Sequence, residues 1–227
     1  MQAQGPRWTG VYVGGNLGYV WGDTDIEGSA NDLFTTYQPF VNTNADTRLK
    51  PDGFAGGLKA GGNYQLGQVV FGAEVSYDWL DADDSRQTDF LSPGPGDVPG
   101  SFYDKVKIED LFTIRGRVGL AVDYAFVYVT GGYASADVQR EQALIFTNGN
   151  NFIASGSERK DGWVYGGGFE YNLFGGWSLT TEFLHIELDD DTLVAPNLPA
   201  FPLDQTVTTN AETSFDVVRA GLTYRFW

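Results

Sequence analysis

The sequence predicts an all-β fold: a single-domain, eight-stranded antiparallel transmembrane β-barrel with three short periplasmic turns and four long extracellular loops. Three observations predict it: the composition, the lengths of the connections between alternating segments, and the residues that share each face of those segments. The 227 residues include 30 glycines, and 15% are aromatic. Aromatic residues favour strands, and glycine weakens a helix by about 1 kcal/mol relative to alanine. The composition therefore indicates strands rather than a helical bundle.

The charge and the rare residue types exclude several classes of protein. A formal net charge of −16 repels nucleic-acid phosphates, whereas 42% hydrophobic residues is too many for a disordered chain. The chain has no cysteine and a single histidine, His185, which leaves no disulfide framework and no thiolate zinc site. The chain has no run of about 18 consecutive apolar residues, which a transmembrane helix would need, so no such helix is predicted. Residues 1–7 lack the apolar core of a signal peptide, so we expect a tail on an exported, mature chain.

Eight segments of the chain alternate between apolar and polar residues, and each is longer than the usual strand of about five or six residues. Tilted strands of about 9–11 residues are what crossing a bilayer requires. The predicted strands are Thr9–Gly22, Gly53–Gln65, Val69–Leu80, Leu111–Val122, Tyr124–Asp137, Gly162–Leu173, Trp177–Leu188 and Phe215–Phe226.

The connections between these strands alternate in length. Short turns are predicted at Leu66–Gln68, around Asp123 and at Phe174–Gly176. The long connections are Asp23–Asp52, Asp81–Asp110, Val138–Asp161 and Asp189–Ser214. Soluble domains seldom carry four loops above about 12–15 residues, whereas short turns at one end and long loops at the other are typical of a transmembrane barrel.

The two faces of each strand differ in a way that predicts an inverted barrel. In the fourth strand, one face carries Phe112, Ile114, Val118 and Leu120, and the opposite face carries Thr113, Arg115 and Arg117. The face with small and charged residues is too poor in apolar atoms to form a core, and the aromatic face is too large to leave in water. Both faces are satisfied if the barrel is surrounded by lipid, which the apolar face contacts, and if the small and charged residues line a polar lumen. A soluble sandwich or a lipocalin-like barrel is the alternative.

The charged residues on the predicted inner face nearly balance, which predicts ion pairs in the lumen. All but five of the 30 acidic residues lie in or beside the long loops. The predicted lumen network comprises Lys59, Glu74, Asp78, Arg115, Arg117, Glu170, Glu182, Arg219 and Arg225. Because an unpaired buried charge costs several kcal/mol, we expect these side chains to pair. They form either a static plug or a gate whose ion pairs exchange partners to open a narrow water path.

Aromatic residues near the strand ends predict the two membrane interfaces, where amphipathic rings suit the headgroup region. The predicted girdle comprises Trp8, Trp21, Trp79, Trp163, Trp177, Tyr224 and Phe226. Acidic runs in the loops are weak candidates for a shallow Mg²⁺ or Ca²⁺ site shared with lipopolysaccharide phosphates. These candidates are Asp81, Asp83, Asp84, Asp189, Asp190 and Asp191, and otherwise no metal and no cofactor is predicted.

The sequence does not favour an enzyme. By parity with Phe183, His185 faces outward near the loop end of its strand, and the nearest preceding serine, Ser178, lies seven residues away. Serine hydrolysis needs a base beside the nucleophile. His185 is therefore predicted to be a polar group at the membrane interface. The acidic pairs in the loops are predicted to be solvated surface charge.

Four passages resemble a known group. They are WTGVYVGGNLGYVWG at Trp8–Gly22, VYVTGGYA at Val127–Ala134, GWVYGGGFEY at Gly162–Tyr171 and VVRAGLTYRFW at Val217–Trp227. Together they resemble the small alphaproteobacterial outer-membrane β-barrel proteins, which are related to opacity-type surface proteins and to the transmembrane domain of the outer-membrane A family. The last strand is similar to the signal that the barrel-assembly machinery reads, with either Phe226 or Trp227 as the terminal aromatic residue.

The resemblance implies a Gram-negative outer membrane and a structural or surface-interaction role, with lipid and lipopolysaccharide as neighbours and the barrel-assembly machinery as a partner during biogenesis. Members of the group have been linked to envelope integrity, host contact and hemin binding. We therefore predict a structural barrel whose acidic loops meet other surfaces, such as another envelope protein or a host surface. The alternatives are a narrow, porin-like channel and a loop-mediated binding module for hemin, a polymer or an envelope protein. For hemin, Tyr37 and Tyr103 are the remaining loop candidates.

Overall fold

Strands account for nearly all of the chain that the structure describes. A computed structural model describes residues 8–30, 47–92, 98–147, 151–198 and 206–226. The strands are β1 (Gly10–Ala30), β2 (Thr47–Leu49), β3 (Asp52–Leu66), β4 (Val69–Ser92), β5 (Val98–Val122), β6 (Ala125–Phe146), β7 (Asn151–Phe174), β8 (Trp177–Leu188), β9 (Asp191–Leu198) and β10 (Thr206–Phe226). Within these residues, no helix has the length and apolar character needed to cross a membrane.

The strands close into a ring of eight antiparallel members. Each strand of the ring pairs with the next, and β10 pairs with β1 from Val11↔Phe226 to Ala30↔Val207. The short strands β2 and β9 continue β3 and β8 after breaks at residues 50–51 and 189–190, and pair with β1 and β10 respectively. The all-β barrel predicted from the sequence is thus the fold observed.

Tight turns join the strands at one end of the barrel, where the sequence predicts them. Asp123 has a φ of 51°, and the turn between β7 and β8 uses Gly175 and Gly176 with φ values of 54° and 87°. Positive φ is reached readily by glycine and by aspartate or asparagine but by few other residues. These turns therefore fix the register of the hairpins that cross the membrane.

The opposite end of the barrel differs from the prediction, because much of each predicted loop is regular strand. β4 and β5 run to Ser92 and from Val98, so that they contain 24 and 25 residues, beyond the predicted ends at Leu80 and Leu111. We call this side of the barrel, with the two short breaks in its strands, the outer extension (residues 22–30, 47–52, 81–92, 98–110, 134–146, 151–161, 187–198 and 206–216). Parts of all four predicted loops, including Tyr37, lie outside the described residues.

The outer extension reverses the polarity of the membrane-spanning part. Ala82, Val106, Ile108 and Val138 are buried inside it, whereas the outward residues of β4 from Asp81 to Asp89 are polar. These buried residues join a continuous apolar layer that begins lower in the barrel with Val20, Leu80, Leu111, Leu184 and Val217. The expectation of a polar inner face thus holds only for the part of the lumen below this layer, because the outer extension meets water and needs a core of its own.

A bulge in β5 allows the polarity to change without interrupting the strand. The registers of β5 with β4 and with β6 both shift at Glu109. An extra residue moves all later side chains to the other face. Ile108 and Leu111, an odd number of residues apart, are therefore both buried inside the barrel.

Candidate functional site

The middle of the lumen holds the predicted charged residues in one buried network. All nine side chains are at most 5% exposed. β3, β4, β5, β7, β8 and β10 supply them, because polar residues occur at every second position along these strands. The five cations and four carboxylates leave a net charge of about +1 if all are ionised.

Glu182 lies at the centre of this network. Its Oε2 is 2.8 Å from a guanidinium nitrogen of Arg219 and 3.3 Å from Nζ of Lys59. Its Oε1 is 3.3 Å from Arg115 and accepts a 2.8 Å hydrogen bond from the Tyr128 hydroxyl. One carboxylate therefore holds together three cations from three strands.

Glu74 is the second centre and connects to the cations on both sides of it. Arg115 pairs closely with its Oε1, and its Oε2 lies 3.5 Å from Arg117 and 3.9 Å from Lys59. The Tyr12 hydroxyl donates a 2.7 Å hydrogen bond to the same oxygen. Because Arg115 and Lys59 contact both Glu74 and Glu182, loss of either carboxylate leaves its cations partly compensated by the other.

The remaining pairs extend the network toward both ends of the lumen. Arg219 pairs with Asp78 at 2.6 Å, and Asp78 also accepts a 3.0 Å hydrogen bond from Ser76. Toward the periplasmic turns, Glu170 lies 2.9 Å from Arg225 and 3.7 Å from Arg117. The nine predicted residues are thus brought together in one continuous network.

An aromatic cluster lies in the lumen below the network. Trp8, Phe126 and Tyr128 pack on one another, with ring centroids 5.3 and 4.9 Å apart along the series. The guanidinium of Arg225 lies 4.4 Å from the centre of the Trp8 ring, and that of Arg117 lies 4.4 Å from the Tyr12 ring. Cations over aromatic faces are attracted by the ring quadrupole, so these rings cover the charged network on its periplasmic side.

Trp8 corrects the predicted girdle. Its side chain is 0% exposed inside the barrel, and its backbone N–H donates a 2.7 Å hydrogen bond to Gln65. The prediction relied on proximity to a strand end and overlooked parity, because Trp8 is an even number of residues from the inward-facing Tyr12. Parity would also have found Tyr12 and Tyr128, which the sequence analysis missed. The other girdle residues, Trp21, Trp79, Trp163, Trp177, Tyr224 and Phe226, lie on the outer face.

Quenching by lipids with brominated acyl chains should distinguish the two kinds of tryptophan. In variants that retain a single tryptophan, with phenylalanine at the other five positions, we expect strong quenching of Trp163, which is 69% exposed on the outer face, and none of Trp8. The measurement is tryptophan emission in bilayers with and without brominated lipid. Equal quenching of the two would contradict the buried position of Trp8.

A ring of aromatic–acid pairs marks the boundary between the membrane-spanning part and the outer extension. In each pair an outward-facing ring hydrogen-bonds to a carboxylate on the next strand of the barrel. The pairs are Tyr19 with Asp52, Tyr77 with Asp110, Tyr133 with Asp161, Tyr165 with Glu187 and His185 with Asp216. Rings with one apolar side and one polar tip suit a membrane interface, so we assign this level to the outer interface of the membrane.

In the described part of the chain, no three His, Asp or Glu side chains are grouped so that they could hold an ion, and the weak cation candidates lie apart from one another. Residues 81–84 are extended strand, so Asp83 and Asp84 face opposite ways. The Asp84 carboxylate instead accepts hydrogen bonds from the backbone N–H groups of Lys50 and Ser85. Asp190 lies at the rim beside Arg48, Asp189 lies at the break after β8, and the side chain of Asp191 is outside the described residues.

Asp104 is a buried acid in the outer extension that the sequence analysis did not single out. Burial raises the pKa of its carboxyl, and the 2.8 Å hydrogen bond from Gln142 and the charges of Arg140 and Arg86 lower it only in part. A raised pKa means that folding favours the protonated acid. The stability that this group contributes is therefore complete below the pKa of the unfolded chain, about 3.9, and is lost as the pH rises through the folded pKa.

We therefore expect Asp104→Asn to slow backbone hydrogen exchange in β5 and β6 at pH 7 and to reduce its dependence on pH. The amide keeps a polar partner for Gln142 but does not ionise. Hydrogen exchange followed by mass spectrometry between pH 4 and pH 7, corrected for intrinsic exchange rates, measures this. Asp89→Asn, at an exposed position of β4, is the matched control and should change neither quantity. Faster exchange in the Asp104 variant at pH 7 would contradict the assignment.

Comparisons with known proteins agree with the barrel and its location. The sequence model of the outer membrane protein beta-barrel domain matches residues 1–226. The chain is 32% identical over 222 residues to the 31 kDa outer-membrane immunogenic protein of Brucella melitensis, with 96% of this chain and 84% of that protein covered. It is 27% identical over 168 residues to the 25 kDa outer-membrane immunogenic protein of Brucella ovis, with 73% and 62% covered.

Among solved structures, the outer membrane protease OmpT from Escherichia coli is similar to this chain. The TM-score is 0.54, the sequence identity is 8%, and 99% of each chain is covered. At that identity the likeness concerns the fold alone, and it supports the β-barrel.

Proposed function

The chain belongs to the outer-membrane protein β-barrel family and resides in the outer membrane of a Gram-negative bacterium, and we propose that it serves there as a closed structural barrel. In this role it reinforces the envelope and carries an acidic outer extension that meets other surfaces. Lipid and lipopolysaccharide are its proposed neighbours, and the barrel-assembly machinery is its proposed partner during biogenesis. The relatives are named as immunogenic proteins, which supports exposure at the cell surface.

The observation that carries this proposal is the filling of the lumen in three successive layers. From the periplasmic side these are the aromatic cluster, the nine-residue ion network and the apolar layer. A barrel of eight strands has an interior just wide enough for side chains, and each layer contains side chains that are almost completely buried. Three stacked layers support a solid interior.

The apolar layer supports this role over the narrow channel. If the ion pairs around Glu182 exchanged partners, a water path would open only within the ion network, which is the middle of the three layers. An ion would still have to pass Leu111, Leu184 and Val217, which are at most 1% exposed. Moving a charge through apolar surroundings costs several kcal/mol even after relaxation, so partner exchange does not by itself open a path.

We also propose that the chain has no enzymatic activity. The Nδ1 of His185 lies 2.7 Å from Asp216, and its Nε2 lies 3.5 Å from Glu187. Both are carboxylates at the outer interface, and the ring also packs against Tyr165, 5.1 Å between centroids. This arrangement fits a polar group that joins three strands at the headgroup level rather than a base beside a nucleophile.

Single-channel recording in planar bilayers tests the closed barrel. We expect no discrete conductance steps from the wild-type protein or from Glu182→Gln, because the apolar layer and the aromatic cluster remain in both. A general diffusion porin in the same bilayers is the positive control, and heat-modifiable migration on gels verifies that each variant is folded. Reproducible steps from the folded wild-type protein would overturn the proposal, and steps from the variant alone would indicate a gate.

A further inference from the structure

The lipid-facing side of the membrane-spanning part carries an apolar groove of about 930 Å³. The groove crosses β10, β1, β3 and β4, and it reaches Trp177 on β8 at one end and Phe112 on β5 at the other. These six strands are neighbours in the barrel. Five spacings of about 4.8 Å between neighbouring strands give the groove a length of about 24 Å.

Gly15 forms the floor of this groove, and large apolar side chains surround it on all four sides. They are Leu58 and Leu222 on the neighbouring strands and Val13 and Leu17 along β1. Leu17 and Leu58 are 76% and 61% exposed, so they stand above the glycine as walls. Ala60 and Ala220, the other small outward residues of the lining, extend the floor to both sides.

The packing of the barrel itself does not require a glycine at position 15. At the inward-facing Gly14, an added Cβ would come within 2.6 Å of the Leu222 carbonyl oxygen, whereas at Gly15 it would meet no atom closer than 3.7 Å. Glycine weakens a strand, and within a strand it often marks a place where a ligand approaches the backbone closely. Gly14 is thus explained by the lumen, whereas Gly15 points to an occupant outside the barrel.

The chemistry and the width of the groove select a narrow hydrocarbon chain. Lys59 borders it through its backbone alone, because its side chain lies in the lumen, where it pairs with Glu182 at 3.3 Å. The Cα atoms of Val13 and Leu17 are about 13 Å apart along the strand, and their side chains fill part of that distance. A helix, about 10–12 Å across, is too wide for the remaining space.

A second copy of this chain does not fill the groove either. If two grooves faced each other, the protruding Leu17 and Leu58 of both copies would meet first and enclose a void between the two floors. Close-packed protein interfaces contain few such voids. The shape therefore favours a flexible chain that enters the groove along its length.

The charges beyond the outer end of the groove disfavour lipopolysaccharide as the source of that chain. The cations there are already paired, Arg159 with Asp110 at 3.0 Å and Lys107 with Glu109 at 3.1 Å. Asp52 and Asp81 face outward beside them and add negative charge. The phosphate groups of lipopolysaccharide would be repelled by this excess of carboxylates.

The periplasmic end of the groove suits the headgroup of a phospholipid. It is bordered by Trp177 and Tyr224, whose rings pack with their centroids 5.1 Å apart. Amphipathic rings are at home in the headgroup region, and neither side chain carries a charge that would repel a phosphate.

We propose that this groove binds one phospholipid of the periplasmic leaflet, with its headgroup beside Trp177 and Tyr224 and one acyl chain over Gly15. The chain contacts the floor and both walls, whereas a lipid elsewhere around the barrel contacts the protein on one side. The additional dispersion contacts hold this lipid more tightly than its neighbours. The inference rests on the proposed role of lipid as a neighbour of the barrel and names the site and the lipid class. It does not depend on whether the barrel conducts.

Native mass spectrometry of the full chain tests the proposal. The protein is released from detergent micelles that contain either phosphatidylethanolamine or lipopolysaccharide. We expect one phosphatidylethanolamine to stay bound at a collision energy that removes all other lipid, and no lipopolysaccharide to stay bound at the same energy. Retention of lipopolysaccharide, or of neither lipid, would overturn the proposal.

A pair of glycine substitutions locates the site. Gly15→Leu fills the groove and should lower the ratio of lipid-bound to free protein at least 10-fold. Gly116→Leu makes the same change at an outward glycine of β5 that does not line the groove, where an added Cβ would meet no atom closer than 3.9 Å. This control should change the ratio less than 2-fold, and heat-modifiable migration verifies that both variants are folded.

Two outcomes of these substitutions contradict the site. Equal effects of Gly15→Leu and Gly116→Leu would mean that the retained lipid lies elsewhere on the barrel. A dimer in the wild-type spectrum that Gly15→Leu abolishes would mean that a second copy covers the groove. Either result would overturn the proposal.

Tryptophan emission provides a separate check, because Trp177 borders the groove and Trp163 does not. Phosphatidylethanolamine with brominated acyl chains is titrated into micelles of the two single-tryptophan variants that retain these residues. Emission of Trp177 should fall in a saturable step at about one lipid per chain, and that of Trp163 only in proportion to the lipid added. Proportional quenching of both would overturn the proposal. Conductance is measured separately, so failure of the lipid to bind and failure of the closed barrel remain distinguishable.

Discussion

Replacing Glu182 with glutamine is expected to lower the free energy of unfolding by about 3–5 kcal/mol, the cost of breaking a buried ion pair on one side. Arg219, Lys59 and Arg115 all lie within 3.3 Å of this carboxylate. The substitution preserves the size of the side chain and an oxygen for the Tyr128 hydroxyl, but it leaves an excess of positive charge in a buried layer. Glu74 compensates Lys59 and Arg115 only in part, at 3.9 Å from the former.

Urea unfolding in lipid vesicles, followed by tryptophan emission and by the shift in gel migration, measures this loss. Glu187→Gln is the matched control, since it makes the same change on the same strand at a side chain that is 57% exposed. We expect the control to lose less than about 1 kcal/mol, as is usual for an exposed pair. A similar loss in both variants would mean that the network does not act as a buried unit.

Replacing Phe215 with alanine is expected to lower the free energy of unfolding by about 3–5 kcal/mol, the usual cost of removing a buried aromatic ring. Phe215 is 1% exposed and belongs to the apolar layer. It lies opposite Gly22 on β1, where an added Cβ would come within 2.8 Å of the Phe215 Cβ. Gly22 has no side chain and so leaves room for the Phe215 ring. Removal of the ring therefore creates a cavity that the surrounding backbone fills poorly.

Leu91→Ala, at a residue 62% exposed in the outer extension, is the control for Phe215 and should change the stability by less than about 0.5 kcal/mol. The same urea titration compares the two variants. Because the ion network remains in place, Phe215→Ala should still give no conductance steps. An unchanged unfolding midpoint in this variant would show that the apolar layer adds little to the stability of the barrel.

Much of the fold and of the lumen network follows from strand parity, which the sequence displays directly. Arg115 and Arg117 alternate with Ile114 and Val118, and a membrane barrel is the arrangement that satisfies both faces. The ion partners could be predicted as a set because they all lie on inner faces. Which carboxylate meets which cation depends on the stagger between strands, and no residue pattern reports that stagger.

The outer extension could not be recognised because its pattern is interrupted. In β5, the buried residues Phe102, Val106 and Ile108 alternate with polar ones, but the buried Asp104 occupies one of the inward positions. The bulge at Glu109 then shifts the parity before the membrane-spanning part begins. Because Asp104 puts a charge on the inner face and the bulge at Glu109 shifts the alternation by one residue, the sequence of this regular strand resembles that of an acidic loop.

The closure of the barrel between β1 and β10 has a consequence for how it forms. Val11↔Phe226 and Ala30↔Val207 join strands from opposite ends of the described chain. Until β10 is in place, β1 and β8 each present an unsatisfied edge that hydrocarbon does not tolerate. Contacts so distant in sequence also form slowly. A chain truncated before β10 therefore has no stable partial product in the bilayer, and membrane insertion becomes an all-or-none event decided by the final hairpin.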